Sequence, residues 1–169
     1  MSPVQSLFPP VLSLFVLVSS AAFAAECAQQ DAIYEDRDKA YELRFVPVES
    51  AAAAASHIFK LAVLKTGLLL DGYVMPTDEV SRSSGIIMHN CPEGDVTGAE
   101  LDACTVWEGL LYSIDDKGGA ANLPDGTAAA AGEILLADLG SSIRSSALWG
   151  EGQLTVAPWD VLTLKGCGQ

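Results

Sequence analysis

Positive charge is what this sequence has least of. Nine Lys and Arg stand against 22 Asp and Glu, for a formal net charge of −13. A surface of that sign repels phosphate backbones and anionic head groups, which excludes nucleic acid and acidic membranes as electrostatic partners. An unknown protein, a cation or a neutral ligand stays open. Histidine is scarcer still, at two residues. His57 and His89 have no Cys or His at ligand spacing and form no H-E-x-x-H pair, so no zinc site is expected. The G-x-S-x-G elbow and the S-x-x-K pair of serine nucleophiles are missing too. Ser83-Ser84-Gly85 and Gly140-Ser141-Ser142 do not supply either. Asp115, Asp116 and Asp125 bracket a Gly-containing loop, but the D-x-D-x-D-G order of a calcium loop is absent and they read as solvated acids. No Gly-rich phosphate loop, heptad array or amphipathic membrane helix is present. Hence no catalytic residue, no metal ligand and no cofactor is assigned.

What the chain does have is a leader and four cysteines. Leu7–Val18 is mostly apolar, and Ala22-Phe23-Ala24 places small residues at −3 and −1 of a cleavage site. Met1–Ala24 holds no Lys or Arg, so its positive end rests on the terminal amine. Pro9-Pro10 and the serines argue against a membrane anchor, and Glu26 ahead of Cys27 argues against a lipidated cysteine. Residues 1–24 therefore read as a signal peptide and 25–169 as one domain, periplasmic or secreted. A chain of that length buries about two-thirds of its unfolded surface, so it can form a core.

Cys27, Cys91, Cys104 and Cys167 all follow the leader, and thiols exported to an oxidising compartment pair. Of the three connectivities, Cys91–Cys104 and Cys27–Cys167 are expected. The first closes a compact loop whose Pro92 and Gly94 let the chain double back. The second joins the two ends of the domain, which commonly lie close together.

Several short segments carry strand patterning. Tyr41-Glu42-Leu43-Arg44-Phe45 alternates apolar and polar, and Pro47 marks its end or an edge. His57, Phe59, Leu61 and Val63 share one face if 57–64 is a strand, although the Ala51–Ala55 run would also allow a helix over 51–64. Leu68–Leu70 reads as a buried run turning at Asp71-Gly72, with Tyr73–Met75 returning. Gly85–His89, Thr105–Ile114 and Val161–Leu164 are further strands. Thr97 and Glu100 match a capping box that opens a short helix over 98–103. Glu26–Lys39 reads as a solvated lead-in, and a short helix is expected near Ile134–Leu139, with the rest of 133–149 open. The sum is a mainly β domain, a small antiparallel sandwich or open barrel with one or two short helices; α+β is the alternative.

Trp107 is expected in the core beside Leu111. Trp149 and Trp159 lie among Gly and Pro residues and are candidates for exposure, where aromatics can stack on sugars. The function this supports is an exported, non-catalytic binding or interaction domain of unknown ligand. The alternative is a small secreted hydrolase whose carboxylates meet only in the fold.

Overall fold

The computed structural model describes residues 27–49, 54–77, 82–150 and 152–168. The expected leader and Ala51–Ala53 lie outside them. The strands are β1 (Ala32–Asp36), β2 (Tyr41–Val46), β3 (His57–Val63), β4 (Leu68–Pro76), β5 (Ser83–Met88), β6 (Thr105–Ile114), β7 (Ala120–Ala121), β8 (Glu133–Leu136) and β9 (Val161–Cys167). Two helices interrupt them, α1 (Gly98–Cys104) and α2 (Leu139–Ser145).

β1 to β6 run as an antiparallel meander, β8 and β9 follow, and β9 pairs back onto β1. The result is a closed eight-stranded antiparallel barrel, with β7 a short flap on the end of β6. This corrects the expected sandwich or open barrel. Alternation along a strand reveals which residues face inward but not which strand closes on which. Closure leaves none of the eight strands as a bare edge. The α+β alternative also falls, because His57–Val63 is a strand whose inward residues His57, Phe59, Leu61 and Val63 are buried.

An eight-stranded barrel is narrow enough for side chains to fill, and here they do. Trp107, Tyr34, Tyr41, Phe59, Leu61, Leu70, Ile87, Leu111, Ile134 and Leu136 are almost fully buried. Tyr34, Phe45, Phe59 and His57 meet edge to face or tilted, with ring centroids 5.7–5.9 Å apart. Glycine makes room for the rings. Gly72 lies opposite Phe59, and a Cβ there would land inside the Phe59 ring. The expected turn at Asp71-Gly72 is thus a continuous strand: the glycine is needed for space, not for reversal.

Two other expectations are corrected. The polar lead-in holds β1, whose Ala32, Tyr34 and Asp36 are buried; its charged residues mask a period of two. Ile134–Leu139 is not a helix. Ile134 and Leu136 point inward on β8, and α2 starts only at Leu139. Leu135, Leu139 and Ile143 recur every four residues, which is helical spacing, yet they span a strand, a turn and a helix, with Leu135 on β8 and Leu139 and Ile143 on α2.

The outside of β1, β2 and β9 is charged. Glu42 is only 4 % exposed, held by Arg44 on one side and by Lys165 Nζ at 2.5 Å on the other. Burial alone would raise its pKa, but the hydrogen bonds from Lys165 and Arg44 outweigh that and lower it.

Disulfides join Cys27 to Cys167, with Cα atoms 5.5 Å apart, and Cys91 to Cys104, at 5.2 Å. The first lies on the seam where β9 meets β1, since Cys167 pairs with Ala32. The second ties the end of α1 to the loop after β5. Thr97 and Glu100 form the capping box that opens α1. Among the described residues, no helix is long and apolar enough to cross a membrane. Two disulfides fit an oxidising compartment.

Candidate ligand cleft

With the barrel interior full, a ligand has to sit outside it. Most strand connections are short, but residues 137–160, between β8 and β9, carry a helix and a long loop. Connections of that length in a compact domain are usually functional. Leu139 and Ile143 bury the inner face of α2, and Leu154 anchors the loop beneath.

The loop is drawn onto α2 at Gly140. Its N–H donates to Asp160 Oδ1 at 2.8 Å, and a Cβ there would come 2.5 Å from the Pro158 carbonyl oxygen. Only glycine permits that approach. On the other side, Tyr41 Oη donates to the Val156 carbonyl at 2.6 Å. Burial pushes the Tyr41 hydroxyl up to about 12, with Asp36 adding to the shift, so it remains a donor at physiological pH.

These contacts bring the loop against the β1–β2 turn. Trp159 Nε1 donates to Asp38 Oδ2 at 2.8 Å, across 121 residues of chain. The Arg37 guanidinium lies 3.9 Å from the Trp159 ring centroid, and its Nε is 3.7 Å from Asp38 Oδ1. Opposite, the Arg144 guanidinium sits 5.3 Å from the Trp149 ring. Both are cation–π distances. A cleft of about 640 Å³ has both indoles in its lining together with the Thr155–Pro158 stretch, and Asp38, Ser141 and Arg144 among its polar side chains. Its size is that of a small-molecule site, and it mixes aromatic surface with a few polar groups. Trp159 is 45 % exposed, a large apolar group left in solvent.

The other residues weighed from the sequence do not gather. Trp107 is buried beside Leu111 and donates to the Ala137 carbonyl. His57 closes one end of the barrel interior, its Nε2 2.9 Å from the Pro124 carbonyl oxygen. His89 lies on the surface loop after β5, beside Asn90. Asp115 accepts from the Lys117 and Gly119 amides, an ordinary turn. Ser83 Oγ accepts from Leu123 N, and Ser141 Oγ donates to the Asp138 carbonyl. Among the described residues, no group of three or more His, Cys, Asp or Glu is placed to hold a metal ion. The sequence singled out Trp149 and Trp159 but not Arg37, Asp38 or Arg144. Their signal, two arginines and an aspartate in an acid-rich chain, is visible only once the fold brings them to the tryptophans.

A second concavity, of about 410 Å³, runs across the outside of β3, β4 and β5 beneath Leu101 of α1. Ile58, Tyr73 and Ile86 pair in a row along it. Its described lining is almost wholly apolar, with the Tyr73 hydroxyl its one polar side-chain group.

Comparison with family models, with characterised proteins and with solved structures finds no match to this chain.

Proposed function

We propose that this protein is an exported, non-catalytic binding domain that holds its ligand in the cleft between α2 and the Trp149–Trp159 loop. One observation carries the reading: two tryptophans, each paired with a guanidinium, flank an open cleft outside a barrel whose interior is already packed. Leaving the Trp159 indole 45 % exposed is unfavourable unless something covers it, while Trp149 is partly buried against the core. Among the described residues, the cleft's lining holds one acid and one base, Asp38 and Arg144, which suits a neutral ligand despite the acidic chain. The cysteine pairs support a periplasmic or extracellular setting. The hydrolase alternative is disfavoured because, among the described residues lining the cleft, Asp38 is the one carboxylate, and glycoside hydrolysis ordinarily needs two.

The reading is tested by hydrogen exchange on the full chain, with and without an extract of its native compartment. Residues 137–160 and the 37–40 turn should be protected by the extract, and Trp149→Ala with Trp159→Ala should abolish that protection. Protection confined to other segments, or unchanged in the double variant, would overturn it.

A further inference from the structure

We infer that the cleft's ligand is a neutral carbohydrate, bound by ring stacking on the tryptophans and by hydroxyl contacts to Asp38. This rests on the proposed binding role and names what is bound.

The argument is one of chemical matching. A pyranose has one face of C–H groups, which packs on an aromatic face, and a rim of hydroxyls that both donate and accept. The cleft offers both complements. Trp159, 45 % exposed, supplies the flat apolar surface, and Trp149, partly buried against the core, borders it. One face of Trp159 is taken by Arg37, which fixes the ring and leaves the remainder of a 45 %-exposed indole open. Preordering a platform in this way reduces the entropy lost on binding.

Asp38 supplies the polar recognition. It is already oriented by Trp159 Nε1 and Arg37. Each carboxylate oxygen has more than one acceptor position, so capacity remains for sugar hydroxyls, and hydrogen bonds to a charged group are the stronger kind. Ser141 and Thr155 add hydroxyls on the same lining. A purely apolar ligand would leave Asp38 and Arg144 without compensation for lost water. A polyanion would meet Asp38 and a chain carrying −13. A neutral polyhydroxylated ring meets neither objection.

The test titrates the intact protein, following tryptophan emission, with three probes: neutral hexasaccharides of glucose, mannose and N-acetylglucosamine; an oligogalacturonate of the same length; and a basic peptide. At least one neutral glycan is expected to saturate the signal, with affinity unchanged by NaCl. Trp159→Ala should weaken it by about tenfold or more and Asp38→Asn by about three- to tenfold. Trp159→Phe should restore part of the loss, which a variant that merely unfolds the loop would not do. Saturation only by the oligogalacturonate or the peptide, lost in Trp159→Ala, would overturn the carbohydrate assignment while leaving the cleft as the binding site. Neutral-glycan binding untouched by Trp149→Ala and Trp159→Ala would overturn the site itself. No saturation by any probe would overturn the carbohydrate assignment.

Discussion

Gly85 faces Gly109 across the β5–β6 pair, and the Trp107 indole fills the space their side chains would need. A Cβ on Gly85 would lie 2.8 Å from Trp107 Cζ3 and collide with Leu111, and one on Gly109 would lie 2.7 Å from Trp107 Cζ2. The ring cannot easily yield. It is 1 % exposed and tethered through Nε1 to the Ala137 carbonyl at 2.8 Å.

Gly85→Ala is therefore expected to destabilise the barrel by about 1–3 kcal/mol, the usual range for overpacking a filled core. Gly166→Ala, where a Cβ meets nothing within 4 Å, should stay within about 0.5 kcal/mol of the parent. Urea unfolding followed by tryptophan emission measures both. A Gly85→Ala protein as stable as the parent would show that the interior is not packed as described.

The same pair shows why the fold was partly legible. β2 is readable from its apolar–polar alternation, β3 from the face that His57, Phe59, Leu61 and Val63 share, and β6 from its β-branched and aromatic content. Gly85, Gly72 and Gly109 carry no pattern, because their role is set by a ring on another strand or two residues away. β1 was hidden for a different reason. Glu35 and Asp36 look solvated in sequence, yet Asp36 is buried and accepts from the Ala40 and Tyr41 amides at 2.7 and 2.8 Å. The cleft was the least legible part, since Asp38 and Trp159 become neighbours only when β9 closes on β1.

That closure bears on the two disulfides. Cys27–Cys167 spans 140 residues and Cys91–Cys104 spans 13. Loop-closure entropy assigns about 5 kcal/mol to the first and about 3 to the second. Replacing Cys27 and Cys167 by Ala should thus lower stability by about 2 kcal/mol more than replacing Cys91 and Cys104. It should also speed hydrogen exchange in β1 and β9 first, because the lost bond sits on their seam. Denaturant midpoints of the two double variants decide the order. Equal losses, or a greater loss from the α1 bond, would contradict the view that the terminal staple stabilises barrel closure.

His57 gives the barrel a pH dependence. Burial lowers its pKa below the ordinary 6.5, with the Pro124 carbonyl and the Asp125 charge opposing the shift. In the unfolded chain the imidazole takes up a proton as pH falls through about 6.5, whereas in the folded chain it resists until lower pH. Acid therefore favours the unfolded state: stability is fully present above about 6.5 and declines below it, by at most about 1.4 kcal/mol per pH unit for one proton. Glu42, whose pKa is lowered by the hydrogen bonds from Lys165 and Arg44, acts further down. Stability measured between pH 7.0 and 5.5 should fall in the parent and flatten in His57→Gln. An unchanged slope in that variant would assign the effect to another group.

Salt should act through the whole chain. Met1–Ala24 contains no charged side chain, so all 22 acids and nine bases fall in residues 25–169. The ion pairs on the surface are well exposed, as with Arg37–Asp38 at 70 % and 55 %, and such pairs contribute little to stability. Net repulsion among the excess carboxylates is the larger electrostatic contribution, and it opposes the compact state. The screening length shortens from about 30 Å at 0.01 M to about 8 Å at 0.15 M, which removes that long-range repulsion while weakening the direct Glu42–Lys165 contact less, since Glu42 is buried although Lys165 is 45 % exposed. The melting temperature should accordingly rise across this range, and rise equally in NaCl and in choline chloride if screening is the cause. A steady fall would mean that attractive pairs outweigh the repulsion. A rise seen with NaCl alone would point to bound sodium rather than to screening.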